Sequence, residues 1–352
     1  MHEALVSPGP QVAIHETPIP KPGPLQILTK VIVSGSNPKD WKRPEWDPTN
    51  CTNTNQGDDI AGIVEAVGNQ VTEFRPGDRI AAFHHMQTPG GSYAEYALSP
   101  EHTTFHLPKA TSFEEAATIP LTGMTAAIGL FTRLGLPEPW TVDPEVRAKS
   151  KGGVVIYGGA SAVGAFAIKL AMKAGIHPLI CVAGNGIPFV EGLIDKSKGD
   201  VVLDYRKGHE SVVSEMRAAV PTGEKLMYAF DCVSEKEKRS FDNICEVLDP
   251  RGRITVVLPH GQDYSSIPET VVRSNTRVGS VHEEGPDREF ANAWFKLFAM
   301  GLKEGWFSGH PFEVVSGGLG GVQSALRNLK EGRASAVKYV FRIGETEGLS
   351  KS

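Results

Sequence analysis

The spacing of apolar residues changes character twice along the chain. Short apolar runs rich in Val, Ile and Ala occupy 2–6, 26–34, 59–67, 79–83, 91–98 and 103–107. Turn signals separate them: a proline-dense segment at 18–24, then Pro76-Gly77-Asp78 and Pro89-Gly90-Gly91. Apart from 38–43, no helical period is sustained there, which predicts a mostly-β domain of the partly open barrel kind. Ser112, followed three residues later by Glu115, is a capping-box pattern. Helices interrupted by Pro120 are expected over 116–134, then a loop or insertion at 137–150 with three prolines. Strand-like runs follow at 154–157, 178–183, 201–203, 226–231, 254–258 and 276–281, with helical patterns at 211–220 and 235–248. Strands alternating with helices predict a doubly wound parallel sheet. A helix at 287–304 carries a core stripe of Phe290, Trp294, Leu297, Phe298 and Leu302. Runs at 311–315 and 336–343, with a helix at 322–331 between them, do not extend the alternation and read as a return to the first domain. The expected domains are therefore 1–115 completed by 308–352, and 116–307.

The chemistry concentrates at GGVVIYGGASAVGAFAIKLAMKAG, residues 152–175. A β-branched strand ends at Gly158-Gly159, and Ala160-Ser161-Ala162-Val163-Gly164 opens a helix with Phe166, Leu170 and Ala174 four apart. The unpaired first amides and the dipole of such a helix make an anion site, here sized for a pyrophosphate. Gly164 would let helix and strand approach closely. The spacing departs from strict G-x-G-x-x-G, because Ala160 and Ser161 break it. The next strand-like run follows after one helix length, as a βαβ unit requires, and Gly184-Asn185-Gly186 closes it where a cofactor ribose would lie. Nucleotide binding is the reading. An acidic residue, the usual partner of an NAD ribose, is missing from Cys181-Val182-Ala183-Gly184-Asn185. Nothing there repels a 2′-phosphate, which favours NADPH over NADH. Ser161, Asn185, Lys196, Arg206 and Lys207 are the candidate holders, unranked by spacing.

Composition narrows the setting. A chain of 352 residues suits two domains, and 40% hydrophobic with 22% charged residues is ordinary for a soluble protein. The net charge of −5, without a long basic run, argues against nucleic-acid and anionic-membrane partners. Cys51, Cys181, Cys232 and Cys245 are scattered with no C-x-x-C, against a disulfide framework or a structural zinc lobe. No apolar stretch reaches membrane length, and a cytoplasmic setting is the expectation.

Five stretches, in order, carry a resemblance over nearly the whole chain. They are Ser36-Asn37-Pro38-Lys39-Asp40-Trp41, then Gly57-Asp58-Asp59-Ile60-Ala61-Gly62-Ile63-Val64, and Val67-Gly68 through Phe74-Arg75-Pro76-Gly77-Asp78-Arg79. Gly90-Gly91-Ser92-Tyr93-Ala94-Glu95-Tyr96 and 116–126 (AATIPLTGMTA) complete the set. The sequence resembles the zinc-independent, quinone-oxidoreductase-like medium-chain dehydrogenase/reductases. Within them it is most similar to the fungal trans-acting enoyl reductases of polyketide biosynthesis, the lovastatin enoyl reductase type. The insertion after Gly135-Leu136-Pro137, Tyr157-Gly158-Gly159, Asp204-Tyr205-Arg206, Phe230-Asp231-Cys232 and the ending from His310-Pro311 to Gly317-Gly318 carry that closer likeness.

The resemblance implies an α/β fold, with a Rossmann domain and a GroES-like barrel, and an oxidoreductase that reduces a C=C bond of an unsaturated thioester with NADPH. The thioester would be presented by a polyketide synthase acyl carrier protein in secondary-metabolite biosynthesis. Cofactor contacts are carried onto Asn37, Lys39, Asp40 and Trp41, onto Gly158, Gly159, Ala160, Ser161, Ala162, Val163 and Gly164, and onto Ala183, Gly184, Asn185 and Gly186. Tyr205, Leu258, Pro259, Ser335 and Ala336 complete them. Acyl-pocket positions fall on Ala126, Ala127, Ile128, Gly129, Leu130, Phe131, Thr132 and Arg133, and on Val278, Gly279, Ser280, Val281 and His282. Lys42 and Thr122 are the catalytic candidates.

Several of these have structural alternatives. Asn37 could cap a turn, Asp40 and Lys42 could be a surface pair, Tyr205 a packed aromatic and Thr122 a helix-turn residue. The chain departs from its relatives at Ala160 and Val163, where they carry a Ser/Thr-rich turn, and at 183–186, where they carry a Ser and a basic residue. It has no Cys at Asn37-Pro38-Lys39-Asp40, where zinc-dependent relatives place one, so no zinc is expected. His84 and His85, adjacent at a strand end, read as cleft or turn residues. Monomer and homodimer both remain open, the latter through an edge at 276–281. Two rival functions stand beside the enoyl reductase: an NADPH-dependent quinone or enone oxidoreductase, and a non-catalytic binding protein on the same fold.

Overall fold

A computed structural model describes residues 1–258 and 262–349. The chain forms two compact units, Met1–Met124 with Gly279–Ser352, and Thr125–Val278.

Unit 1 begins with seven strands: β1 (His2–Ser7), β2 (Gln11–Glu16), β3 (Gln26–Gly35), β4 (Asp59–Val67), β5 (Arg79–Phe83), β6 (Tyr96–Pro100) and β7 (Thr104–His106). Helices α1 (Lys39–Trp46), α2 (Pro48–Cys51), α3 (Phe113–Ala116) and α4 (Pro120–Ala127) accompany them. Strand β2, a mostly exposed partner of β1, was not expected; its polar side chains hide the strand period. The run expected from 91 pairs as a strand only from Tyr96. Strand β3 pairs with both β4 and β6, and two register irregularities along β3–β4 bend the ladder, as barrel closure needs. Pro120 does not interrupt a helix; it stands at the first position of α4, where its missing N–H costs nothing.

Unit 2 contains β8 (Val154–Tyr157), β9 (Leu179–Ala183), β10 (Val201–Asp204), β11 (Tyr228–Asp231), β12 (Arg253–Val256) and β13 (Val272–Asn275). They form one parallel sheet in the order β10-β9-β8-β11-β12-β13. Helices α5 (Pro144–Ala148), α6 (Ala162–Lys173), α7 (Ile187–Glu191), α8 (His209–Ala219) and α9 (Ser240–Cys245) belong to this unit. The strand order reverses between β8 and β11, and in such sheets ligands bind beyond the carboxyl ends at that point. Here those ends are Gly158 and Cys232-Val233.

Two expectations need correction. Helix α9 is shorter than 235–248 because Arg239, at φ 54°, breaks it from the preceding turn. The strand expected at 276–281 ends at Asn275, and Val278–His282 is a 3₁₀ turn that buries Val278 and Val281, three residues apart.

The chain then runs through α10 (Pro286–Glu304), β14 (Phe312–Val314), α11 (Val322–Lys330) and β15 (Lys338–Arg342), and β15 pairs antiparallel with β3. Helix α10, expected within 116–307, groups with unit 1: Phe295 stacks on Phe105 at 5.7 Å, and Phe298 on Phe307 at 4.9 Å. Among the described residues, no helix is long and apolar enough to cross a membrane.

Candidate functional site

In unit 2, β8 is wholly buried and stops at Gly158, whose φ of +85° suits glycine. A Cβ there would also lie 2.8 Å from Val233. Ser161 is the N-cap of α6, its Oγ accepting the Gly164 N–H at 3.1 Å. The hydroxyl expected to face phosphates thus holds the helix end, and its own O–H remains for a ligand. A Cβ at 164 would sit 2.2 Å from the Gly158 carbonyl, so only glycine lets α6 pack this close to the turn. Ala162 and Val163 stand in the first turn of α6, where N–H groups have no partner four residues back. Gly159 is buried and Ala160 half-buried, leaving the turn almost free of side chains.

The ends of β9 and β10 meet beside it. The Tyr205 ring covers Gly184, where a Cβ would come within 2.6 Å of it, yet Tyr205 keeps 49% exposure. Ala183, Gly184 and Gly186 are buried and Asn185 is exposed. The Arg206 guanidinium donates to Asp204 at 2.7 and 2.8 Å and to Asn185 Oδ1 at 2.5 Å. It therefore lies beside Asn185, whereas Lys196 pairs with Glu191 and Lys207 with Glu215. Leu258 is half-buried, its carbonyl accepting the Tyr264 hydroxyl at 2.7 Å. Pro259 lies outside the described residues.

Unit 1 holds a buried charged cluster around the start of α1. Asn37 Nδ2 donates to Asp59 at 2.7 Å, and Lys338 Nζ donates to Asp59 at 2.6 Å and to Asn37 Oδ1 at 3.2 Å. Asp59 also accepts the Leu121 N–H at 2.7 Å, fixing the start of α4. Asp40 accepts the Asn37 N–H at 2.7 Å and the Tyr93 hydroxyl at 2.6 Å. Lys39 bridges Asp40 (2.9 Å) and Asp58, and Asp58 accepts from His84 Nδ1 at 2.8 Å. Burial would raise the Asp58 carboxyl, but the Lys39 charge and the His84 hydrogen bond outweigh it and hold it at about 2. For Asp40, burial wins over Lys39 and raises it.

Asn37 and Asp40, at 1% and 0% exposure, are therefore committed inside this network. Trp41 is half-buried against the unit 1 core. The Lys42 ammonium lies over the Trp41 and Trp46 rings at 5.5 and 5.8 Å. The Thr122 hydroxyl donates to the Thr118 carbonyl at 2.7 Å. Ser335 is exposed, and Ala336 adopts φ 52°, unusual for a residue with a Cβ.

The acyl-pocket candidates divide. Ala126 to Phe131 are buried, with Gly129 pressed against the Phe230 ring, while Thr132 is exposed and Arg133 half-buried. Val278 and Val281 are buried, and Gly279, Ser280 and His282 half-buried. Sequence reasoning did not single out Asp58, Asp59, Tyr93 or Lys338 as site residues. The paired acids after Gly57, at the entry to a buried strand, were a usable signal; Lys338 offered none. Among the described residues, no three His, Cys, Asp or Glu side chains are grouped to hold a metal ion.

The alcohol dehydrogenase GroES-like domain family matches residues 23–109. The chain is 50% identical over 318 residues to the trans-enoyl reductase fsr4 of Gibberella fujikuroi, covering 90% of this chain and 91% of that protein. It is 31% identical over 366 residues to the trans-enoyl reductase resD of Aspergillus sclerotiorum, covering 97% and 100%. The crystal structure of the CurK enoyl reductase matches with a TM-score of 0.73 at 18% identity, over 96% of this chain and 98% of that one, a likeness of fold alone.

Proposed function

Because the chain belongs to the trans-enoyl reductase family, we propose that it reduces an α,β-unsaturated acyl thioester in trans, with NADPH as the reductant and without zinc. The substrate would be presented by a polyketide synthase acyl carrier protein, in the cytoplasm. The observation that carries this reading is the 50% identity to a trans-enoyl reductase over 90% of the chain.

The residues at the unit 2 turn fit a dinucleotide. The Ala162 and Val163 amides at the start of α6 have no partner four residues back, the side chains of the turn are small, and glycine is required at 158 and 164. When bound, the reduced nicotinamide supplies hydride for the β-carbon of the thioester. Ala162, Val163 and the Ser161 hydroxyl would hold the pyrophosphate. Tyr205 offers a face to the adenosine end, and Arg206 beside Asn185 supplies the cation that a 2′-phosphate needs. This departs from relatives that place the basic residue within 183–186.

In unit 1, Asn37 and Asp40 act as positioning residues that fix α1 and so the ammonium of Lys42. We carry Lys42 forward as the charge that stabilises a developing enolate oxygen. The Thr122 proton is engaged by Thr118, so Thr122 enters as an acceptor unless it turns. Residues 278–282 and Thr132 remain the proposed acyl-contact positions.

The test is turnover of a 2-enoyl pantetheine thioester by purified protein with NADPH and NADH in parallel. Loss of nicotinamide absorbance with NADPH and formation of the saturated thioester are expected. Oxidation of NADPH by free quinones with the thioester left intact would overturn the reading.

A further inference from the structure

Three imidazoles gather in unit 1 from distant parts of the sequence. The His282 ring stacks on His85 with centroids 4.6 Å and planes 18° apart, and lies 4.8 Å from Phe83. His102 meets His282 edge-on at 6.1 Å, and its Nε2 is 3.0 Å from the Val281 carbonyl. Among the described residues, neither ring nitrogen of His282 has a hydrogen-bond partner, and both are shielded from solvent. Buried polar atoms are satisfied in the great majority of proteins, and an exception calls for an explanation. Metal ligation does not supply it: the rings lie face to face, and no metal-holding group forms among the described residues.

Charge does not supply it either. Burial, then the neighbouring His85 and His102, hold His282 down to about 3, and burial holds His102 down to about 4. The imidazole at neutral pH therefore carries one N–H donor and one acceptor nitrogen, both unused. The surroundings are apolar or adaptable. Phe83 is fully buried, and half-buried Met86 lies where a side chain at Gly279 would touch its sulfur at 3.5 Å. His282 as a residue is only half-buried, on a short 3₁₀ turn, so rotation of its side chain can present a nitrogen to a ligand.

We propose that His282 is a specificity-determining residue of the acyl site, and that it receives a carbonyl or hydroxyl oxygen borne by the acyl chain away from the reacting double bond. The inference rests on the reductase reading above and narrows its substrates to partly oxygenated acyl chains. An imidazole suits both kinds of oxygen, donating to a carbonyl and exchanging two bonds with a hydroxyl. A chain with only CH₂ groups would leave the imidazole unsatisfied, which is how polar sites reject apolar analogues.

The test uses matched enoyl pantetheine thioesters, an alkyl chain and the same chain bearing one keto oxygen at successive positions. The wild-type protein is expected to favour the best-placed keto substrate by about 10- to 100-fold in kcat/KM. His282→Phe should remove that preference, bringing the keto-to-alkyl ratio of kcat/KM to about 1, and His282→Gln should retain part of it. The melting temperature of His282→Phe should be equal or higher, since it deletes two unsatisfied atoms; if it fails to fold, His282→Gln and His282→Leu carry the comparison. No preference in the wild type, or a preference that survives in His282→Phe, overturns the proposal. If neither substrate is reduced, the reductase reading fails separately. Calorimetric binding of the saturated keto and alkyl thioesters then decides: a keto preference lost in His282→Phe supports the proposal, and equal binding overturns it.

Discussion

At the glycine turn of unit 2 the polar groups left for a ligand are the first amides of α6, at Ala162 and Val163, and the Ser161 hydroxyl. In unit 1 the polar groups are side chains, buried and bound to one another: Lys338 to Asp59 and Asn37, Lys39 to Asp40 and Asp58, Tyr93 to Asp40. The start of α6 keeps its hydrogen-bonding capacity for a ligand. The cluster has used most of its own, so its part is to set the shape and field around α1. Mutations should separate the two. At the turn they should lower nucleotide affinity, and in the cluster they should lower stability first.

The largest effect is expected at Lys338. It is 4% exposed, and its removal leaves Asp59 charged, buried and short of its cation. Lys338→Met should cost about 3–5 kcal/mol, the usual consequence of breaking one partner of a buried pair. Urea unfolding measures it. A loss below about 1 kcal/mol would mean that water reaches the cluster and that the contrast with the turn is overstated.

Two buried acids, Asp231 in unit 2 and Asp58 in unit 1, respond to pH with opposite sign. In unit 2, burial raises the Asp231 carboxyl to about 6 despite hydrogen bonds from Ser240 and from the Ser234 and Val233 amides. Its folded state holds the proton more tightly than the unfolded chain, whose carboxyl titrates near 3.9. Its contribution to stability is therefore greatest below about pH 4 and falls as pH rises from about 4 to about 6. Asp58 in unit 1, held at about 2, behaves in reverse: its contribution is complete above about pH 4 and disappears as pH falls toward 2. Asp231→Asn should flatten the decline between pH 4 and 6 by an amount on the order of 2 kcal/mol. Thermal melts across that range test it, and an unchanged slope would mean that Asp231 ionises freely.

Gly164→Ala sharpens the comparison from the other side. Its Cβ would press on the Gly158 carbonyl at 2.2 Å, shifting α6 and costing about 1–3 kcal/mol. The distinguishing readout is the nucleotide. NADPH should stop raising the melting temperature of this variant, while Lys338→Met, at a temperature where it is folded, should still respond. Equal responses in both would show that the turn does not hold the cofactor.

How much was legible in advance follows the same division. The unit 2 turn is local: strand, glycines, N-cap and close-packing glycine lie within eleven residues, 154–164, so spacing alone located them. Its strands, alternating with helices, were legible for the same reason, apart from β13, whose polar side chains carry no period. The unit 1 cluster joins Asp59 to Lys338, 279 residues apart, and His282 reaches His85 across nearly 200. No periodic pattern encodes such pairs. Ser161 is the instructive intermediate. Its position was legible, but its capping bond to Gly164 was not weighed, although helix N-termini select serine for that purpose.

The smallest effect lies at the edge of the turn, where cofactor choice would be set. Arg206 is exposed, and its bonds to Asp204 and Asn185 contribute little to folding, as surface pairs generally do. Arg206→Met should leave the melting temperature of the free protein unchanged, weaken NADPH about fivefold and leave NADH unaffected, since only the 2′-phosphate meets the lost charge. Asp204→Asn should act oppositely. Asp204 now takes up most of the guanidinium's hydrogen bonds, and neutralising it frees Arg206 for phosphate, so NADPH should bind about two- to fivefold more tightly. Fluorescence titration of the two nucleotides with both variants decides the point. If the two substitutions shift NADPH in the same direction, or move NADH equally, Arg206 is only a surface ion pair. Any preference for NADPH measured in the wild type would then have to come from the aromatic face of Tyr205 and the exposed amide of Asn185 at the ends of β9 and β10.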